Sequence, residues 1–580
     1  MSETIASERR GKLRGAWFTP LLTLMLISGV QAQSPTGRTI SVTLQPSVSA
    51  GAQRITSLHV AVQMPGNAAA AGAPLVRMPL VTSNVKTAAV NLHDLQAYDA
   101  DGALALTYDD DRGGQKPYRR WKAARIVHGP LKLSYRVDIT NEANPLGAAP
   151  PFELRSEGRV FSGLTGSFLL LPDSSQAYRL KLHWDLAGLG GNTLGVSTLG
   201  LGDQLGATAV APEQLESVFL MGGQPGHEPE RPAADGFFSA WQGTPRFDAR
   251  ALMQWTHQLY TYYLKFFDAG NTAYSVYLRR NPINPGGGVE VGHSFVGTFD
   301  EHTPVDTFKM TLAHEMVHTF VGALDAKDEL AASWFSEGLA VYYQRLLPLR
   351  AGQIDRQAYL DDLNTTAARY YTDMLNTTPN DQISARFWPD TRIRVLPYDR
   401  GALYFAQVDA ALRHASKGKR SLDDLVLALL HRRASGHPVT ESDWVDAVTQ
   451  ALGKRGKLQF QQMMRGKLVV LPPDAFGRCF RRVTRPLRRY ELGFTPDVLI
   501  EPRRIVRGLI PGSEAARAGI RNGDEIVKPV PQDGIQADQH ARLELKIRRG
   551  AQAMDISYLP RGEVVDAYQW VESNESRCDM

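Results

Sequence analysis

The chain predicts a multidomain α+β protein, and three observations carry that prediction. Short alternating apolar and polar runs fill the front, helical periodicity takes over after about residue 223, and a glycine-punctuated small module closes the chain. At 580 residues the chain is also too long for one hydrophobic core, which points to roughly three or four domains.

Residues 1–32 read as a cleavable signal peptide outside the fold. Arg9, Arg10, Lys12 and Arg14 make a basic head, Ala16 to Val30 an apolar stretch broken by Pro20, and Val30-Gln31-Ala32 a small-residue cleavage site. That stretch is short for a membrane span, which needs about 20 residues, and no later segment is apolar enough, so the mature chain is expected to have no span. A periplasmic or secreted location follows. Removing the leader's four basic and two acidic residues lowers the formal net charge from +5 to +3. With no basic stripe interleaved with aromatics, that excess argues against nucleic acid as a partner.

Residues 33–222 predict a β-sandwich. Thr39-Ile40-Ser41-Val42-Thr43-Leu44 and Leu131-Lys132-Leu133-Ser134-Tyr135-Arg136-Val137 alternate with period two between Gly, Pro, Asn and Asp clusters. The glycine-rich stretch from Gly188 to Gly206 lacks a Gly-x-Gly-x-x-Gly pattern and reads as loops and turns. Asp109-Asp110-Asp111 reads as a solvated turn rather than a calcium loop.

Residues 223–470 form the next unit, an α/β half followed by a helical half. Asp248 to Phe267 has helical spacing, Tyr274-Ser275-Val276-Tyr277-Leu278 alternates like a strand, and a further helix starts near Asp306 or Thr307 as N-cap. From Ala331 onward helices dominate. Ser421 opens one, and Thr440 with Asp443 three residues later caps another.

The chemistry lies in His314-Glu315-Met316-Val317-His318, followed nineteen residues further on by Glu337 in Trp334-Phe335-Ser336-Glu337-Gly338. Residues four apart share one helix face, so His314 and His318 can aim their imidazoles at one point. Zinc needs a third protein ligand and one open position for water, and Glu337 from a second helix can be that ligand. Glu315 can take a proton from the water. Leu312, Ala313, Met316, Val317, Phe320 and Val321 place the motif on an amphipathic or buried helix, where unpaired imidazoles and a carboxylate are costly. The combination describes a metallopeptidase with one Zn2+ per chain and peptides as substrates.

Residues 475–580 form the small terminal module. Leu492-Gly493-Phe494, then Pro511-Gly512-Ser513-Glu514-Ala515-Ala516-Arg517-Ala518-Gly519-Ile520 and Asn522-Gly523-Asp524-Glu525-Ile526-Val527, resemble a PDZ domain. That resemblance implies a peptide or protein C-terminus as ligand, with its carboxylate at the loop amides and its backbone on the next strand. Little room remains between Val527 and Leu543 to Arg548 for the helix forming the second wall, so a purely structural role is the alternative. Cys479 and Cys578 are the only cysteines and flank this module. In an oxidising compartment they are expected to pair.

The zinc helix, the segment Trp334 to Tyr343, the β-rich front and the PDZ-like end together resemble the glycyl aminopeptidase family of gluzincin metallopeptidases. The resemblance implies a thermolysin-like catalytic fold with the preceding β-sandwich. It also implies two further site elements. In Pro397-Tyr398-Asp399-Arg400-Gly401, Tyr398 would donate a hydrogen bond to the developing oxyanion. In Gly286-Gly287-Gly288-Val289-Glu290, Gly287 and Gly288 would lie along the substrate as an edge strand while Glu290 pairs with its α-amine. His293 stands displaced from the family's Leu-Glu-His and receives no role. Val341, four residues after Glu337, occupies a position where such enzymes hold an aspartate behind the metal, which leaves the groups orienting the histidines unassigned.

The expected function is a zinc aminopeptidase removing N-terminal residues, with small ones such as glycine or alanine implied by the family. Two alternatives stand beside it: a zinc endopeptidase with the same site, and a catalytically vestigial PDZ-containing periplasmic scaffold. An epoxide hydrolase would rest on fold analogy alone.

Overall fold

Period-two alternation in the front half buries one face of each strand. Ile40, Val42 and Leu44 turn inward with Val60, Val62, Leu133 and Tyr135. Their strands belong to a seven-stranded sheet in which Arg38–Ser47 runs antiparallel to Ser57–Met64 and parallel to Tyr178–Trp184. A four-stranded sheet contributes Leu75, Val76, Met78 and Trp121 to the same core, completing a sandwich. The computed structural model describes residues 38–573, apart from 67–68, 83–84, 114–115, 142–149, 271, 283–284, 529 and 531–532. The leader and Cys578 lie outside the described residues.

A third sheet of five strands lies between the sandwich and the next domain, its Phe161 and Leu220 buried in the sandwich core. Its Val160, Leu164, Phe219 and Met221 pack on Phe238, Tyr277, Val291 and Val296. Phe219–Gly223 runs across the boundary expected at residue 222. Buried Gln242 bridges the two units, donating to the Val160 carbonyl at 2.9 Å and accepting from Ser162 Oγ at 3.0 Å. The aspartates expected in a solvated turn instead end the strand Leu106–Asp111. There Asp110 pairs with Arg119 at 2.8 Å and Asp109 with Lys122 at 3.1 Å across the ladder.

The next domain begins with a sheet ordered Gly226–Glu228, Phe237–Trp241, Tyr274–Arg280, Ser294–Phe299, Gly288–Glu290. The three central strands are parallel and both outer strands antiparallel. Helices Ala249–Phe266 and Val305–Val321 bury Leu259, Tyr263, Phe308, Leu312 and Met316 in the shared core. Asp248 caps the first of these, accepting from Ala251 N at 2.9 Å. The second starts at Val305 behind Pro304, not after a cap at Asp306 or Thr307. Pro304 has a fixed φ and its carbonyl already receives Phe308 N at 3.0 Å, so Asp306 falls in the first turn, where its charge complements the positive helix end.

Six longer helices form the half behind: Ser336–Arg350, Arg356–Thr372, Leu396–Ser416, Leu422–Ala434, Glu441–Leu452 and Lys454–Met464. Thr440 and Asp443 close the expected capping box. Gly338 and Gly401 allow Ser336–Arg350 and Leu396–Ser416 to touch backbone to backbone. A Cβ on Gly338 would sit 2.7 Å from the Gly401 backbone.

The terminal module has its own core, including Leu492, Phe494, Val506, Ile526, Leu545 and Tyr558. The unit expected to begin at 475 is split, however. Strands Phe480–Tyr490 and Arg561–Glu572 form a two-stranded ribbon whose Phe480, Ala567 and Trp570 join the core of the preceding domain with Phe476 and Cys479. Large apolar side chains on a two-stranded ribbon cannot be buried by the ribbon itself, so they pack on helix Arg356–Thr372. A short helix, Asp533–Ala537, occupies the stretch expected to leave little room for one.

Candidate metal centre

Helical period brings His314 and His318 together, and the Gly338–Gly401 crossing brings the other two elements to them. Glu337 lies in the first turn of its helix and Tyr398 in the first turn of Leu396–Ser416. His314 Nε2 lies 3.2 Å from Glu337 Oε2 and 3.2 Å from His318 Nε2, and His318 Nε2 lies 3.3 Å from the same carboxylate oxygen. Donor atoms at the corners of a tetrahedron around an ion bound at ~2.0–2.1 Å stand about 3.3 Å apart. The three donors therefore already occupy three such corners, and the fourth is left to a small ligand. The Tyr398 ring lies 6.0 Å from that of His314, centroid to centroid, and nearly parallel to it.

Charge balance supports the same reading. Glu290, Glu315 and Glu337 surround two imidazoles, and among the described residues none of the three carboxylates pairs with a lysine or arginine. Burial pushes the Glu290 carboxyl up to about 7, opposed by His318 and reinforced by Glu315 and Glu337. Burial also raises Glu315. For His318 burial works downward but is outweighed by Glu337, then Glu315 and Glu290, leaving it at about 9. Glu337 is pushed up by burial and pulled further down by His318 and His314, so its carboxyl ends well below the usual range. A divalent cation is the group this surplus of buried carboxylate fits.

The histidine partner that the sequence left unassigned is Gln344, seven residues after Glu337 and so two turns along the same face. Its Oε1 accepts from His314 Nδ1 at 2.9 Å. Its Nε2 donates to both oxygens of Asp362, at 2.9 and 3.0 Å, and Asp362 is gripped by Arg345 Nε at 2.5 Å. This chain fixes which way the Gln344 amide faces, which leaves His314 Nε2 as the nitrogen turned toward Glu337 and His318. Position 344 could have been found from the helical period; Asp362, on another helix, could not.

The remaining expected residues fall as follows. Gly288–Glu290 is the outermost strand of its sheet, and among the described residues one of its edges has no partner strand. A Cβ on Gly288 would lie 2.1 Å from the Phe295 ring and 2.7 Å from the Val296 carbonyl, so only glycine fits. The Gly287 carbonyl receives Thr298 N at 2.8 Å and Thr298 Oγ1 at 2.9 Å, which pins the approach to the strand. Glu290 is within electrostatic reach of His318, Glu315 and Glu337, whereas His293 is exposed. Cys479 is buried and disulfide-bonded.

Comparison with known proteins meets the geometry on the same segment. Residues 307–392 match the family model described as M61 glycyl aminopeptidase. That segment holds His314, Glu315, His318, Glu337, Gln344 and Asp362. In fold the chain is similar to an aminopeptidase N family protein from Idiomarina loihiensis, with 15% identity and a TM-score of 0.64 over 92% of this chain and 98% of that one. Weaker likenesses are to an M1 zinc metallopeptidase from Deinococcus radiodurans (14% identity, TM-score 0.40, 75% of this chain and 95% of that one). A third is native yeast LTA4 hydrolase (11% identity, TM-score 0.40, 75% and 69%). No curated protein matches the sequence. The family match and the donor geometry together support a metallopeptidase built on an aminopeptidase-like fold.

Proposed function

We propose that the protein is a zinc-dependent aminopeptidase. The observation that carries this reading is the triangle of His314, His318 and Glu337 donors with 3.2–3.3 Å edges, with Tyr398 beside it and a free strand edge ending in Glu290. Two imidazoles and one carboxylate with an open corner are the donor set of a catalytic zinc, which when bound polarises a carbonyl and makes water acidic near neutral pH.

The chain's own residues supply the rest. Glu315 takes a proton from the attacking water and returns it to the leaving amine; its raised proton affinity suits both transfers. The Tyr398 hydroxyl donates to the oxygen that gains charge as the carbonyl becomes tetrahedral. Gly287 and Gly288 receive the substrate backbone along the edge, and the Glu290 carboxylate pairs with the α-ammonium group. That pairing lowers the proton affinity of Glu290 in the complex. Small first residues such as glycine or alanine are the proposed substrates. The proposed location is the periplasm or exterior; among the described residues no helix is long and apolar enough to cross a membrane.

A panel of aminoacyl-peptide substrates on zinc-loaded protein, each with a free or an acetylated N-terminus, tests the reading. Acetylation should abolish cleavage. Equal cleavage of both forms would show an endopeptidase and remove Glu290 from its role. No cleavage of any member by fully loaded protein would leave the vestigial scaffold.

A further inference from the structure

We propose that the terminal module is a fixed brace of the catalytic centre, with Gln536 a positioning residue that holds the Tyr398 segment through Thr391. The role given to Tyr398 rests on the aminopeptidase reading; the brace itself does not.

The surfaces that a peptide-capturing module of this shape presents are committed elsewhere. After Leu492-Gly493-Phe494 the chain makes the 3₁₀ turn Pro496–Ile500 rather than an extended strand. The Gly493 carbonyl is taken by Ile510 N at 2.8 Å. Arg504–Ile505, the edge strand of the module's sheet, is two residues long and offers little ladder to an incoming peptide. Helix Asp533–Ala537, where a second wall would stand, is turned against the catalytic half. Gln536 is 2% exposed and its Nε2 donates to Thr391 Oγ1 at 2.8 Å. The Arg561 guanidinium, buried in the ribbon, donates to the Ile535 and Asp538 carbonyls at the two ends of that contact. The helix is thereby locked to the ribbon as well as to Thr391.

The ribbon has its own anchor. Asn364 on helix Arg356–Thr372 reads the backbone of Trp570 as a neighbouring strand would, donating to its carbonyl at 2.8 Å and accepting from its N–H at 2.7 Å. Tyr359 stacks on Phe480 with centroids 5.2 Å apart. The same helix supports the site. Its Asp362 holds Gln344 and so His314, and its Arg369 binds both oxygens of buried Asp399, the neighbour of Tyr398, at 2.7 Å each. Thr391 opens the short helix Thr391–Arg394, which runs through Val395 into Leu396–Ser416 and Tyr398. Brace and catalytic groups thus share one helix and one turn. A hydrogen bond buried at both ends resists rotation of that turn more than an exposed one would.

The test uses full-length zinc-loaded protein carrying Gln536→Ala, Thr391→Ala, the pair of them, or Thr391→Ser. Gln536→Ala should lower kcat about tenfold with KM within about twofold and bound zinc unchanged, and the pair should be no worse than either single change. Thr391→Ser keeps the hydroxyl and should retain near wild-type kcat. Amide hydrogen exchange over residues 391–400, measured without substrate, should quicken about tenfold in Gln536→Ala. Wild-type kcat together with wild-type exchange in that variant overturns the brace, as does a rise in KM alone, which would mark the module as a substrate-binding arm. Because exchange needs no turnover, it decides the brace even if every aminoacyl substrate fails.

Discussion

Two clusters of buried charge, one in the front sandwich and one at the metal centre, use similar residues and reach opposite states. In the sandwich, Arg77, Lys116 and Arg120 meet Asp173, Glu213, Glu216 and, at the exposed rim, Asp111, so that every carboxylate has a basic partner. Arg77 bridges Asp173 and Glu213, Lys116 pairs with Glu216, and Arg120 reaches Asp173 at 3.2 Å. Tyr118 adds a hydrogen bond to Glu216 at 3.1 Å. At the metal centre three carboxylates face two imidazoles with no strong base among the described residues. A balanced cluster has spent its charge on holding the fold. Carboxylates buried without a lysine or arginine call for a proton or a cation instead, and three of them around two imidazoles mark a candidate metal site.

The sharpest way to break this contrast is Glu315→Gln. It removes a charge and a proton carrier while leaving all three donors in place, so zinc content should stay near one per chain and turnover should fall by about a thousandfold or more. Appreciable residual turnover in a fully loaded variant would take the general-base role from Glu315. Metal removal comes next. If the surplus negative charge is what the ion offsets, stripping zinc should lower Tm, and readdition at about a thousand times Kd should restore roughly 4 kcal/mol. A melt indifferent to zinc, by calorimetry with and without chelator, would sever the link between charge surplus and metal.

Glu216→Ala attacks the balanced cluster instead. It strands Lys116 and the Tyr118 hydroxyl in a largely buried place, and stability should fall by roughly 2–4 kcal/mol in urea titration. The kcat of the folded fraction should not change. A loss of kcat without loss of stability would mean the sandwich cluster also belongs to function.

The mildest test isolates a single unbalanced carboxylate away from the site. Asp373 is 2% exposed, its Oδ2 has no hydrogen-bond partner, and burial pushes its carboxyl up to about 7. Its folded value is raised, so between about pH 4 and 7 the folded chain holds a proton that the unfolded chain has lost. Stability from this group therefore declines as pH rises through that window and is flat above it. Asp373→Asn avoids the decline and keeps the Oδ1 acceptor for Leu375 N. It should gain up to roughly 4 kcal/mol at pH 8 and nothing below about pH 4, read as the difference between two stability-versus-pH curves. A gain that does not vary with pH would refute the assignment of that shift.

Legibility followed distance along the chain. His314, Glu315 and His318 were readable because one helical period places them, and Glu337 because the opening of its own helix follows closely. Gln344 was within reach of the same period, since it lies two turns beyond Glu337, but nothing in its chemistry announces an imidazole partner. Tyr398 and Glu290 came through resemblance, and the structure supplies the reason for the glycines near them. Gly401 lets two helices touch, and Gly288 makes room for the Phe295 ring. The helix start at Val305 was misplaced because Pro304 set the backbone before any side-chain cap was needed.

By itself the sequence determined most of the elements and which side chains could serve as metal donors, because helix period, strand alternation and capping act over a few residues and metal ligands must be particular side-chain types. Only the tertiary structure decided which helices cross at Gly338 and Gly401, which carboxylate holds Gln344, and that the terminal ribbon lies on the core of the preceding domain. Those outcomes depend on how apolar surface far apart in the chain is hidden from water. Burial is non-directional, so it leaves no local pattern from which the partner can be read.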